Sequence, residues 1–280
     1  MREVDVHIIS KKIKEMFIAM NYELGEDLKL AITKAMEKEE QDLPKSIFCD
    51  LLENARLAGQ NRIPMCQDTG MAVVFMEIGQ DIHFISGYIE DAVNQGVREA
   101  YEDGFLRKSV VSHPLERKNT GDNTPAVIHY EIVKGDKVKI TTTAKGFGSE
   151  NMSRIKMLNP SDGEEGVLDF IIETVKLAGP NPCPPVVVGV GIGGTMEKAA
   201  LIAKKALTRD IGVPSKDQKA REIEERSLEA INKLNIGPQG FGGKTSAFSV
   251  NIDVFPTHIA GLPIAVNINC HASRHMEAII

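Results

Sequence analysis

A chain of 280 residues, 42% hydrophobic and 26% charged with a formal net charge of −6, has the makeup of an ordinary globular protein that can bury a substantial core. No run of about 18 apolar residues marks a membrane span, and the start, MREVDVHIISKKIKEMF, lacks the unbroken apolar stretch of a secretory signal, so a cytoplasmic protein without membrane partners is expected. The acidic balance, the absence of Trp and the 5% aromatic content leave neither a basic footprint nor stacking platforms for nucleic acid.

Residues 1–60 read as helices. Ile8, Ile9, Ile13, Met16 and Phe17 recur at helical spacing. A second helix begins near Asp27, and a third runs from about Leu43 to Leu57 with Pro44 suited to its first turn. The texture then changes. Met71–Ile78 and Asp81–Ser86 read as strands joined by the Gly79-Gln80 turn, and Ile89–Tyr101 as a helix. Ser112–Pro125 is a polar surface loop of the kind that carries function. Ala126–Val133 and Lys137–Ala144 read as a hairpin around Lys134-Gly135-Asp136, followed by a glycine-rich loop from Lys145 to Pro160. Gly166–Leu177 is helical, Pro180–Pro185 is a loop, and Val186–Val190 is a short buried strand. Gly191–Thr195 opens a helix to about Leu207, and another helix spans about Lys216–Leu234. After a glycine loop at Gly237–Gly243, Ser246–Val254 and Leu262–Ile268 read as strands before a short polar tail. The irregular mixture predicts an α+β (mixed α/β) fold: a helical N-terminal region, 1–60, then mixed sheets flanked by helices, 61–280, in a single domain.

Without a secretion signal, disulfides are disfavoured. Of four cysteines, Cys49 lies on a helix and reads as a small hydrophobe. Cys66, Cys183 and Cys270 instead lie in turn-rich loops at strand ends, where thiols from distant segments can converge. Their separations of 117 and 87 residues match no short ligand motif. Two metal readings remain open. One is a zinc site that adds His271 and His275, four residues apart and on one face if the tail is helical. The other is a four-iron cluster with three thiolates, whose fourth iron stays open as a Lewis acid.

Gly189–Gly194 fits G-x-G-x-x-G, but no acidic residue ends a second strand about 20 residues on, as a dinucleotide site needs. The segment reads as an anion-binding turn or as a tight strand–helix junction. Asp68, two residues from Cys66, is placed to move a substrate proton, or simply to make an Asp-Thr-Gly turn. His258 is a loop histidine, and Arg107 and Arg154 have the planar fork that suits carboxylates.

Together PMCQDTGM, KGFGSENMS, NPCPPVVVGVGIGGTMEKAALIAKKAL and VNINCHASRH resemble the class I, iron–sulfur-dependent fumarate hydratases and L-tartrate dehydratases, in order over about 210 residues from Asn61 to Arg274. The resemblance implies a [4Fe–4S] cluster on Cys66, Cys183 and Cys270, and interconversion of fumarate and L-malate. It implies that Gln67 and Asp68 face the substrate, that His258 lies in the site, and that Arg107 and Gly148 contact substrate. Asp68 and His258 are the expected acid–base residues. Phe147 departs from the K-G-G-G that many relatives carry here. The chain ends six residues after Arg274. The resemblance therefore points to the α subunit of a two-subunit form, with a separate β subunit completing the site in an α2β2 assembly. An L-tartrate dehydratase α subunit is the nearest alternative. A non-catalytic iron–sulfur or zinc-binding subunit is the alternative from another class.

Overall fold

The computed structural model describes all 280 residues and has the expected mixed α+β architecture. Contacts divide the chain into two interleaved units: Met1–Gly25, Asn54–Phe147 and Arg274–Ile280 form one, and Glu26–Glu53 with Gly148–Ser273 the other.

The first unit opens on β1 (Arg2–Asp5) and α1 (Val6–Tyr22). Asp5 caps α1 by accepting the His7 N–H at 2.9 Å. The stripe Ile9, Ile13, Met16, Phe17 and Met20 is buried in the core of this unit. The chain then makes α2 (Glu26–Lys38), which belongs to the second unit, and α3 (Asp42–Asn61), which returns to the first from Asn54; β2 (Met71–Gly79), β3 (Ile82–Ile85), α4 (Ile89–Asp103), β4 (Val127–Val133) and β5 (Val138–Lys145) follow. The C-terminal strand β10 (His275–Ile279) completes a four-stranded sheet in the order β10-β5-β2-β4. Apolar residues of α1 and α4, including Val93, Val97 and Tyr101, pack with Val74, Met76 and Ile140 of this sheet.

The expected hairpin of β4 and β5 does not form. β2 lies between them, parallel to β4 and antiparallel to β5. Its near-continuous apolar run, MAVVFMEI, is buried along almost its whole length and takes the position with two neighbours. The Lys134–Lys137 connection passes the end of β2 instead. Gly79 N donates to Lys137 O at 2.8 Å, and a Cβ on Gly79 would stand 2.3 Å from Gly135 O. Nor does β3 join β2: it pairs in parallel with β1, a strand that the helical reading of residues 1–60 missed.

α5 (Phe147–Glu150) starts on the last residue of the Asn54–Phe147 stretch of the first unit, and the second unit continues with β6 (Arg154–Leu158), α6 (Gly163–Ala178), β7 (Val186–Gly193), α7 (Met196–Ala206), α8 (Gln218–Asn232), β8 (Ala247–Phe255) and β9 (Leu262–Asn269). The sheet order is β6-β9-β7-β8. β6 falls in the stretch read as a glycine-rich loop. β7 explains the glycine motif. Val186, Val188 and Val190 join the core with Phe170, Ile171 and Ile223 of α6 and α8. The alternate positions face α7: a Cβ on Gly189 would lie 2.2 Å from Ala203 O, and one on Gly191 2.1 Å from Ala199 O. The glycines let α7 lie against the strand backbone, which is the strand–helix junction reading.

Candidate active site

Two loop clusters, one in each unit, carry the residues singled out above. In the first unit the segment Cys66–Gly70 links α3 to β2 and is held chiefly through its backbone. Tyr101 Oη donates to the carbonyls of Thr69 and Gly70, at 2.8 and 2.7 Å. Burial pushes this phenol well above its usual range, against the pull of the Arg274 charge and with the help of Asp68, so it remains a proton donor. Asn123 Nδ2 also donates to Gly70 O, at 3.3 Å. Gly70 sits at φ +80, where a Cβ would lie 2.7 Å from the Ala144 carbonyl carbon.

These anchors turn the Asp68 carboxylate, which is half-buried, toward backbone donors. Its Oδ1 accepts Gly70 N at 3.0 Å and its Oδ2 accepts Phe147 N at 2.9 Å. Gly146 lies against it: a Cβ there would stand 3.2 Å from Asp68 Oδ2. Phe147, the departure from K-G-G-G, thus supplies through its N–H a bond that any non-proline residue can make. Behind the segment, Arg274 is only 4% exposed. Its Nη2 donates to Asp68 O at 2.9 Å and its Nη1 to Asn21 Oδ1 at 2.8 Å. Asn21 is fully buried, and its carbonyl accepts Met65 N at 2.9 Å, one residue before Cys66. Gln67 is exposed and Cys66 partly so. Arg107 is exposed; its carbonyl accepts Thr69 Oγ1 at 3.1 Å, while its guanidinium makes no hydrogen bond or ion pair within the chain.

In the second unit Cys183 precedes β7 and Cys270 follows β9, the two paired central strands of the sheet, so topology brings both thiol-bearing loops to one sheet end. His271 N donates to Cys183 O at 3.2 Å and joins the loops directly. Gln239, in the Gly237–Gly243 loop, packs over them: its N and Nε2 donate to Pro184 O at 2.8 and 3.1 Å. Its Nε2 also lies 3.0 Å from His271 Nδ1. Cys183 has φ +52, and none of the four cysteines forms a disulfide. Gly148 is exposed on α5. His258 is exposed in the loop after β8, its Nδ1 accepting Ala260 N at 3.1 Å.

Two sequence expectations change. The tail is extended rather than helical: His271 lies in the turn after β9 and His275 begins β10, so no shared helix face exists for the zinc arrangement. Cys49 does lie on α3, but it is exposed, its Sγ 3.4 Å from Met36 Sδ. Arg154 pairs with Glu173 at 3.1 Å and lies over the Phe170 ring, a structural use of its fork.

Residues 10–279 match the family model described as fumarate hydratase (fumerase). The chain belongs to the fumarate hydratase family. It is 42% identical over 273 residues to the putative L(+)-tartrate dehydratase subunit alpha of Methanocaldococcus jannaschii, covering 95% of each chain. It is 34% identical over 254 residues to the L(+)-tartrate dehydratase subunit alpha of Escherichia coli, covering 90% of this chain and 84% of that one. The α subunit from Shigella boydii serotype 4 has the same identity and coverage.

Within this family member the supporting residues Asn21, Tyr101, Asn123 and Arg274 escaped the sequence reading. Two left a signal. Asn21 lies on the buried stripe of α1, four residues after Phe17, although Asn21-Tyr22 reads as a break. Tyr101 ends the apolar stripe of α4. A polar group on a buried stripe needs a partner inside the protein. Asn123 left none, and Arg274 only its place in the VNINCHASRH motif, since their bonds reach 53 and 206 residues along the chain.

Proposed function

We propose that this chain is the cluster-binding α subunit of a hydro-lyase that interconverts fumarate and L-malate. Its 280 residues form the α-subunit part of the catalytic machinery, and a separate β subunit completes the site in a cytoplasmic α2β2 enzyme. The observation that carries the reading is the Asp68 carboxylate, oriented by two backbone N–H groups and two residues from a loop thiol. A [4Fe–4S] cluster suits the donor set. Cys66, Cys183 and Cys270 are thiols at loop positions with solvent access, and three thiolates leave one iron without a protein ligand. When bound, the cluster supplies a Lewis acid toward the leaving hydroxyl.

The chain's own residues divide the remaining work. Asp68 accepts the C3 proton of malate; the C–H electron pair becomes the new C=C bond as the C2–O bond breaks. His258 orients the leaving oxygen and donates the proton with which it departs as water. Arg107, with its unengaged guanidinium, binds a substrate carboxylate in bidentate fashion. Gln67 and Gly148 position the substrate.

A second reading is dehydration of L-tartrate to oxaloacetate by the same residues. It is favoured by the names of the relatives at 42% and 34% identity. Anaerobic reconstitution with the companion chain, followed by assays on fumarate, malate and tartrate, separates the two. Asp68→Asn should cut turnover at least about a hundredfold, within the range of a lost general base, with the cluster's absorbance intact. Unchanged turnover removes Asp68 from the chemistry. A chain that takes up about one zinc and no iron on reconstitution sinks the cluster assignment.

A further inference from the structure

The residues of β4 are Val127-Ile128-His129-Tyr130-Glu131-Ile132-Val133. About Tyr130 they form a palindrome, except that His129 is exchanged for Glu131. β4 is also a sheet edge. Its one strand neighbour is β2, and no strand lies along its other side. Large apolar groups crowd that edge: Ile132 is 68% exposed and Tyr130 45%, and Tyr88, close enough to influence the Tyr130 phenol, is 62% exposed. Edge strands are ordinarily protected by Lys, Pro, a bulge or short length. β4 contains neither Lys nor Pro, and its register with β2 runs unshifted from Val73↔Val127 to Gly79↔Val133.

We propose that β4 pairs antiparallel with β4 of a second copy of this chain, about a two-fold axis through Tyr130, and so fuses two four-stranded sheets into one. In this register Val127 of one copy faces Val133 of the other, Ile128 faces Ile132, and Tyr130 faces itself. His129 faces Glu131, twice. The faces sort cleanly. Ile128, Tyr130 and Ile132 share the side whose β2 neighbours, Val74, Met76 and Ile78, belong to the core. The two His–Glu pairs fall on the opposite side. A two-fold interface must be complementary to itself; matched β-branched pairs stabilise antiparallel strands, and each Glu131 carboxylate, an acceptor only, meets an imidazole instead of a second carboxylate. A strand recruited from an unrelated chain has no use for the palindrome, which singles out a second copy as the occupant. The inference is independent of the reaction assigned above.

The test uses the full-length chain. Directly opposed residues in antiparallel strands have Cα atoms about 4.5–5.5 Å apart, within disulfide reach. Tyr130→Cys should therefore form a covalent dimer under mild oxidation, above the background of the wild-type cysteines. The two copies of residue 132 stand four positions apart along the strands, about 13 Å. Ile132→Cys alone should not cross-link, whereas Ile128→Cys/Ile132→Cys should. By light scattering the wild type should have twice the chain mass, and Ile132→Lys should raise the dissociation constant at least tenfold with an unchanged circular dichroism spectrum. Any of three results overturns the proposal: a monomer at all concentrations, a dimer in which Tyr130→Cys links no better than Ile132→Cys, or a co-expressed complex in which residue 130 links to the companion chain instead of to itself.

Discussion

Arg274→Lys is the substitution that most directly tests how Asp68 is held. The guanidinium spans two acceptors that no shorter or single-headed cation can serve together: Asp68 O at 2.9 Å and Asn21 Oδ1 at 2.8 Å. Lysine keeps the charge and can reach one of them. If Asn21 Oδ1 is abandoned, a fully buried acceptor is left without a donor, at a cost of roughly 1–3 kcal/mol. If Asp68 O is abandoned, the cost lies at the low end of that range, because the half-buried Asp68 segment can recover a water. Arg274 Nε is a buried donor without a partner, and its removal offsets part of the loss. A net loss of about 1–2 kcal/mol follows, or a drop of about 2–8 °C in Tm for a chain of this size. The catalytic effect should be larger. With Asp68 as the base, a shift of about 1 Å in its carboxylate lowers kcat on the order of a hundredfold. KM should move little, because Asp68 meets the proton rather than the carboxylates. The assay pairs kcat and KM of the reconstituted enzyme, normalised to cluster content, with thermal denaturation of the same sample. A fall in Tm with kcat per cluster unchanged refutes the positioning argument, and a loss of activity at low substrate that disappears at saturating substrate, a KM effect alone, refutes it equally.

Gly191→Ala places a methyl 2.1 Å from the backbone oxygen of Ala199 and must push α7 off the sheet, so Tm should fall by several degrees, consistent with about 1–3 kcal/mol of overpacking; an unchanged Tm rules out the packing role. Burial acts to raise the Asp122 carboxyl, but the Thr124 hydroxyl and N–H and Arg98 outweigh it and hold it at about 2. Its folded value lies below the unfolded one near 3.9, so its contribution is complete above about pH 4 and disappears as pH falls through about 2. Because Arg98 is 45% exposed, roughly 1 kcal/mol is expected. The urea stability gap between wild type and Asp122→Asn should therefore close between pH 4 and pH 2, and a constant gap contradicts this. Serine at Cys66, Cys183 or Cys270 should lower the iron and sulfide bound per chain, while Cys49→Ser leaves both unchanged. Metal analysis after anaerobic reconstitution decides the matter.

Much of the architecture was legible because it is local. The stripes of α1 and α4 and the buried runs of β2 and β7 are written in consecutive residues. The errors share one cause. β1, β6 and β10 are strands of four or five residues, REVD, RIKML and HMEAI, too short for any alternation they carry to stand out from a loop. Each is defined by a partner far along the chain: Arg2 faces Ile82, Arg154 faces Val266 and His275 faces Thr143. The hairpin of β4 and β5 failed for the same reason. A good turn at Lys134–Asp136 reports that two strands reverse, but not that a third, more apolar strand will lie between them.

The candidate site follows the opposite logic, and this explains why its motifs read so clearly. Its loops are fixed chiefly through carbonyls and N–H groups: Thr69 and Gly70 by Tyr101, Arg107 by Thr69, Cys183 by His271 and Pro184 by Gln239. Backbone anchoring leaves the side chains at Gln67 and Arg107 exposed, and His258 exposed with its Nδ1 engaged by Ala260 N. Ordering an exposed arginine around a ligand costs side-chain entropy, and desolvation by a second surface strengthens whatever charge it then meets. If these are the recognition groups proposed above, a chain that leaves them this open gains most of its binding strength only when something covers them. That is the physical case for a companion subunit, and it predicts that the isolated chain binds dicarboxylates weakly even with its thiols fully loaded.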